Sequence, residues 1–214
     1  LMEAGVTCLD PATTHVSVLA SVGRDTTLYP HVQIEGAARI GDGCTIHAGS
    51  RIRDSQLGNR VTVLDGCVIL EAEIGDECII GPYAHLRPGS KLRRKVKIGN
   101  FVELKKSMVG DGSKIPHLTY VGDSTVGERV NVGAGTITCN YDGFAKYQTI
   151  IEDEAFIGSN SCLVAPVRIG RGAYVAAGST ITQEVAPDAL AFGRAHQVNK
   201  EGRAAVIRAS KAKR

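Results

Sequence analysis

The chain has 214 residues, a formal net charge of +3, 43% hydrophobic residues, 5% aromatic residues and no Trp. That is long enough for a substantial core, and the chain lacks the run of about 18 apolar residues that a membrane-spanning helix needs. The six cysteines show no CxxC spacing, which favours free thiols in a reducing cytoplasm over disulfides or a metal site.

Residues 1–15 carry no repeat and are expected to be a lead-in. From Val16 an aliphatic residue returns every sixth position, through Val22, Leu28, Ile34, Ile40, Ile46 and Ile52, and the pattern persists to Ile181. A six-residue period fits neither a helix nor a hairpin sheet; it fits a solenoid of short strands that turns a corner once per repeat. The fifth residue of each hexad is small (Ala38, Cys44, Ser50, Ala84, Ser113, Ala155, Ala173), as the corner of a narrow prism requires. Glycine often follows the aliphatic residue, as at Gly41, Gly58, Gly75, Gly99, Gly122, Gly158 and Gly170, and is expected to supply positive φ at tight corners. The spacing shortens to five at Ile52–Leu57, Ile69–Ile74, Leu104–Val109 and Val121–Val126, always on the third hexad. The coil therefore has three sides and about eighteen residues. The corner that absorbs those deletions also carries the one long excursion, an outward loop near 139–150; long loops on rigid scaffolds are commonly functional. The fold expected is all-β, a three-sided parallel β-helix over 16–185, followed by a basic extension over 186–214 whose last stretch, KEGRAAVIRASKAKR, is partly helical.

Charge is uneven along this frame. Between Arg87 and Lys106 eight Lys or Arg face one acid, Glu103, and from Arg194 onward seven face Glu201. Basic clusters of this kind suit phosphate-bearing small molecules or nucleic acid. Nucleic acid is disfavoured because no aromatics are interleaved for base stacking. The register sharpens the reading. Asn100, His117, Ala134, Ser159 and Ala177 should form one column on successive coils, spaced by about 4.8 Å. Glu103, Tyr120, Ile137, Cys162 and Thr180 should form another, and Arg87 should lie against Lys105. Two stacked cations repel unless an anion lies between them, so Arg87 and Lys105 read as a phosphate clamp. His117 near Glu103 reads as a base oriented by a carboxylate, and Ala134, Ser159 and Ala177 as a smooth strip for a long, thin ligand. A lone His on such a prism is commonly a surface residue; the convergence of base, acid, cations and strip beside the long loop is what points to catalysis.

The runs GPYAHLRPGSKL, IGNFVELKKS, IPHLTYVGDSTVG, VNVGAGTITCNYDGFAKYQT and IGSNSCLVAPV resemble the C-terminal domain of the bacterial bifunctional N-acetylglucosamine-1-phosphate uridylyltransferase / glucosamine-1-phosphate N-acetyltransferases, within the hexapeptide-repeat acyltransferases. The resemblance covers essentially the whole chain and is strongest from Gly81 to about Arg194. It implies a left-handed β-helix, a cytoplasmic homotrimer with sites at subunit clefts, and acetyl transfer from acetyl-CoA to glucosamine 1-phosphate. It implies His117 as general base with Glu103 as its partner. Arg87, Lys105, Tyr120, Asn131 and Lys146 match the sugar-phosphate contacts. Ala134, Asn140, Tyr141, Ser159, Ala177 and Arg194 match the acetyl-CoA contacts, with Lys146 and the 139–150 loop directed to a neighbour's site. The family's uridylyltransferase half, with its Gly-rich loop and Mg²⁺, has no counterpart here, and no metal site is expected. Two other readings use the same prism: a zinc enzyme of the γ-carbonic-anhydrase type built on His85 and His117, and a non-catalytic trimeric scaffold.

Overall fold

A computed structural model describes residues 1–212. Among those residues the chain forms three parallel sheets of eleven, ten and nine short strands, which are the three faces of a prism. Each strand pairs with the strand one coil away on the same face, as in Thr27↔Thr45↔Thr62 on the first face, Gln33↔Arg51↔Val68 on the second and Arg39↔Gln56↔Glu73 on the third. The hexad aliphatics point inward without exception along the central coils: Ile46, Val63, Ile80, Ile98, Ile115 and Val132 are 0–1% exposed. The single gap in the aliphatic repeat is Thr138, which stands between Val121 and Leu163 in the second-face column. Its buried hydroxyl accepts the Gly122 N–H at 2.8 Å. A polar residue in the core therefore has a specific backbone partner one coil below it, as burial demands.

The glycines that follow the aliphatics do something other than expected. None of Gly41, Gly58, Gly75, Gly99, Gly122, Gly158 or Gly170 has positive φ. A Cβ at Gly41 would lie 2.5 Å from the Gly58 carbonyl oxygen, and one at Gly99 would overlap the Pro116 carbonyl. These glycines are required because successive coils bring backbone onto backbone. The left-handed conformation falls two residues later, where it is taken even by Tyr83, Phe101 and Leu118 (φ 54°, 54° and 48°).

The corner between the third and first faces is stapled by side chains. Asp42, Asn59, Asp76, Asp111 and Asp153 each accept, through Oδ1, a backbone N–H from the coil before, at 2.8–2.9 Å. The opposite corner, between the second and third faces, carries the shortened hexads and the loop.

Strand pairing reaches beyond both expected limits. Thr7–Cys8 pairs with Thr27–Leu28, ahead of residue 16, and Leu190–Ala191 pairs with Tyr174–Val175, past residue 185. Both edge strands cover open ladder groups of the next coil. The periodicity missed them because Cys8 and Ala191 stand where the repeat has aliphatic residues. The basic extension ends in a helix, Arg203–Lys211, with no buried residue. No helix among the described residues is long and apolar enough to cross a membrane.

Candidate active site

The column read from the hexad register forms as expected. Asn100 and His117 are paired residues of the adjacent strands Lys97–Asn100 and Lys114–His117. Above them Gly135 N–H donates to the His117 carbonyl (3.3 Å), Asn160 N–H to the Ala134 carbonyl (2.8 Å) and Gly178 N–H to the Ser159 carbonyl (2.8 Å). His117, Ala134, Ser159 and Ala177 thus climb one corner of the prism, with the His117, Ser159 and Ala177 side chains exposed. Arg194 closes the top of the strip, its Nε donating to the Ala177 carbonyl at 2.9 Å. The second column is also in place, as Glu103↔Tyr120↔Ile137↔Cys162.

In this structure His117 faces an amide and the expected carboxylate lies against another group. The His117 Nδ1 lies 2.5 Å from the Asn100 Oδ1, not against a carboxylate. Glu103 is engaged elsewhere: its Oε1 accepts from Arg87 Nη1 at 2.8 Å. The reason is positional. Asn100 occupies the same column as His117 one coil away, whereas Glu103 lies past the corner on the second face, where Leu86↔Leu104 stacking sets Arg87 beside it.

The cations assemble around that carboxylate and the loop. Arg87 and Lys105 each follow a paired aliphatic (Leu86, Leu104) and so stack. The ammonium of Lys105 is held below the ordinary lysine range, first by contact with Lys146, then by burial and the charges of Lys146 and Arg87, with Asp123 opposing. Lys146 thus lies beside Lys105 of its own chain. A shallow cleft of about 310 Å³ opens here, lined by Lys106, Asp123, Lys146, Tyr147 and Gln148.

The loop is a built object. Tyr141 and Lys146 form an antiparallel bridge, Asp142 Oδ1 accepts from the N–H groups of Phe144 and Ala145 (2.8 and 2.7 Å), and Phe144 at the tip is 95% exposed. Those two N–H bonds, Ala145 first, hold the Asp142 carboxyl below the usual range. Its base is fixed by Asn140, which is 6% exposed, donates from Nδ2 to Asp123 (2.5 Å) and accepts the Tyr147 N–H (2.9 Å). In this structure the Asn140 side-chain amide anchors the loop to Asp123. Tyr141 is exposed, with its hydroxyl on the Gly143 carbonyl (2.6 Å). Tyr120 and Asn131 are half-buried at the edges of the same region. Gly122 lets it close up, since a Cβ there would collide with the Tyr120 hydroxyl and the Asn140 amide. Sequence reasoning gave Asn100, Gly122 and Asp123 no part in the site's chemistry. Asn100 was legible as the residue under His117, and Gly122 and Asp123 sit within HLTYVGD.

His85, the second imidazole of the zinc reading, pairs in register with Glu103, and its Nε2 is buried without a hydrogen-bond partner. Among the described residues no group of three or more His, Cys, Asp or Glu is placed to hold a metal ion. Burial pushes the thiols of Cys67 and Cys78 up to about 11.

Comparison with known proteins adds to this geometry. The family profile described as "Bacterial transferase hexapeptide (six repeats)" matches residues 20–54, and "Hexapeptide repeat of succinyl-transferase" matches 148–183. The chain is 54% identical to "Bifunctional protein GlmU" of Carboxydothermus hydrogenoformans over 94% of its own length and 45% of that protein. It is 56% identical to the GlmU of Heliobacterium modesticaldum, over 94% of this chain and 43% of that one. The chain thus spans about half the length of these relatives. Among solved structures, an Arabidopsis UDP-N-acetylglucosamine acyltransferase superposes with a TM-score of 0.76 at 19% identity, covering 96% of this chain and 80% of that one. A UDP-N-acetylglucosamine acyltransferase from Campylobacter jejuni gives a TM-score of 0.54 at 16% identity, covering 94% of this chain and 81% of that one. These two share the fold.

Proposed function

The chain belongs to the hexapeptide-repeat transferases and corresponds to one half of GlmU-type bifunctional proteins, and from that premise we propose that it is a glucosamine-1-phosphate N-acetyltransferase. It takes acetyl from acetyl-CoA and makes N-acetylglucosamine 1-phosphate, a precursor for UDP-N-acetylglucosamine and the cell wall, in the cytoplasm. The observation that carries this reading is the gathering of Arg87, Lys105 and Lys146 beside the corner that bears His117. Cations set against one another are stable company only for an anion, and a sugar phosphate supplies one.

The chemistry is direct acyl transfer. The substrate amine is largely protonated in solution and is not a nucleophile in that form, so the species that reacts is the neutral amine, its extra proton already given up to solvent. Arg87, Lys105 and Lys146 hold the phosphate, with Tyr120 and Asn131 along the sugar. His117 takes a proton from the amine through Nε2 as the amine attacks the thioester carbon. The carbonyl π pair moves to oxygen, and N–H groups at Ala134 or Ser159 receive the oxyanion. The intermediate collapses with loss of the coenzyme thiolate. The strip of Ala134, Ser159 and Ala177, capped by Arg194, lets the pantetheine arm lie along the prism axis, and holding amine and thioester in contact supplies much of the rate. No acyl-enzyme is needed. Burial raises the Cys139 thiol above its ordinary value, which disfavours it as a nucleophile. A homotrimer, with clefts between prisms, is the assembly this reading carries.

The test is thiol release from acetyl-CoA with glucosamine 1-phosphate, against glucosamine and UDP-glucosamine as controls. Activity with the phosphorylated sugar alone is expected. His117→Ala is expected to lose about 10²-fold or more in turnover, and Lys105→Ala to raise KM for the sugar far more than for acetyl-CoA. Equal effects of Lys105→Ala on both substrates contradict the clamp, and unchanged turnover in His117→Ala removes it from the mechanism.

A further inference from the structure

We propose that Asn100 is the positioning residue of His117: its side-chain carbonyl fixes the imidazole as the Nδ1-protonated tautomer and so presents the Nε2 lone pair outward as the base. This deepens the acetyltransferase reading and rests on it. Three observations bring it together. Asn100 Oδ1 stands 2.5 Å from His117 Nδ1. The two residues are register partners on adjacent parallel strands, and Leu118 N–H donates to the Asn100 carbonyl at 3.0 Å, so the ladder brings the two side chains side by side. Gly99, immediately before Asn100, has no room for a Cβ beneath Pro116, which locks the two backbones together next to the ring.

An amide oxygen is an acceptor only, so the imidazole nitrogen facing it must carry the proton. In the neutral ring the other nitrogen is then unprotonated. When Nε2 takes a proton from the amine, the Nδ1 proton stays in place and none passes to Asn100. The acceptor is uncharged, unlike the carboxylate expected from sequence. A carboxylate would hold the imidazolium and keep the base protonated to higher pH; an amide orients the ring without that cost. The other charged or titratable groups on the strands packed around the ring are Lys114 on its own strand, Lys97 beside it, and, past the corner, Tyr120 and Glu103, the last held by Arg87. Glu103 therefore acts on the sugar-phosphate side, through Arg87.

The experiment measures the imidazole nitrogen chemical shifts of His117 in the 214-residue protein, with His117→Ala assigning the resonances, alongside steady-state kinetics across pH. Wild type is expected to show the Nδ1-protonated tautomer in large excess. Asn100→Ala should mix the tautomers and lower kcat about tenfold or more, with both KM values within about twofold. Asn100→Asp should restore the tautomer and most of kcat while moving the acid limb of kcat/KM to higher pH, a change that a merely structural residue does not produce. Thermal melting of all three variants separates misfolding from this effect, and Asn100→Asp keeps the proposal testable if Asn100→Ala unfolds. A wild-type ring protonated on Nε2 overturns the proposal, as does an Asn100→Ala protein with unchanged tautomer ratio. Mixed tautomers in Asn100→Ala, together with full turnover in that variant and in His117→Ala, sink the general-base reading and leave the hold on the ring standing. Lost turnover in His117→Ala with unchanged tautomers in Asn100→Ala does the reverse.

Discussion

Lys105 is the residue whose surroundings say most about what the site awaits. Its neighbours Lys146 and Arg87 disfavour its charge, and only Asp123 favours it. A lysine whose proton is held less tightly in the folded chain than in the unfolded chain costs stability at neutral pH. That cost disappears only as pH rises through the folded-state value. Lys105→Met keeps the aliphatic stem and removes the crowding, so its ligand-free melting temperature should exceed that of wild type at pH 7, and the gap should close in strongly alkaline buffer. Glucosamine 1-phosphate should raise the wild-type melting temperature by mass action and leave the variant nearly unmoved. A variant that melts lower than wild type without ligand contradicts the crowding. The same neighbourhood marks where single-residue reading stopped. His117 and the column holding Asn100 were legible because β-register is countable. The choice of Asn100 over Glu103 as the ring's partner was not, because it depends on which side of a corner a carboxylate falls and on Arg87 engaging it first.

Glycines show what the strand and corner elements demand. Gly49 lies at φ 70° with nothing within 4 Å of a Cβ, while Gly99 has ordinary φ and would drive a Cβ into the Pro116 carbonyl. The first site demands left-handed backbone, which costs a non-glycine residue about 1 kcal/mol. The second demands that two backbones touch, and filling it forces coils apart at an overpacking cost of roughly 3 kcal/mol or more. In urea, Gly99→Ala should therefore lower the unfolding midpoint well beyond Gly49→Ala, and it should also cut turnover because Asn100 and His117 sit on the displaced strands. Equal midpoints for the two variants, or full activity in Gly99→Ala, would contradict the assignment. The sequence marked Gly99 but gave it the wrong cause, positive φ, since spacing places a glycine after the aliphatic but does not say how closely the next coil approaches. The staple of Asp42, Asn59, Asp76 and Asp111 was similarly visible as Gly-Asp and Gly-Asn pairs. Its function needed the coil-to-coil stacking to be seen.

The whole molecule is a stack in which each coil touches only its neighbours, so its stability is close to a sum of coil terms. The three sides, the slipping corner and the excursion all followed from counting, because an inward aliphatic every sixth residue leaves few other solids. The ends did not, because the edge strands carry Cys8 and Ala191 in place of aliphatics. Deletion distinguishes the two parts of the C-terminal extension. Removing 200–214 takes away a helix that buries nothing among the described residues, and the urea midpoint should not move. Removing 186–214 also strips the Leu190–Ala191 strand. The N–H groups of Tyr174, Ala176 and Thr180 then lose their acceptors at Ala189, Ala191 and Gly193, and Arg194 leaves the Ala177 carbonyl. With up to about 1 kcal/mol for each lost bond, tempered by water at an open edge, the loss should be roughly 2 kcal/mol. It should appear first as faster amide exchange in Phe156–Ile157 and Tyr174–Val175, while the strands bearing Asn100 and His117, several coils away, stay protected. Exchange that instead accelerates uniformly through the prism would mean that the coils unfold as one unit, and the site's rigidity would then depend on the far end of the stack.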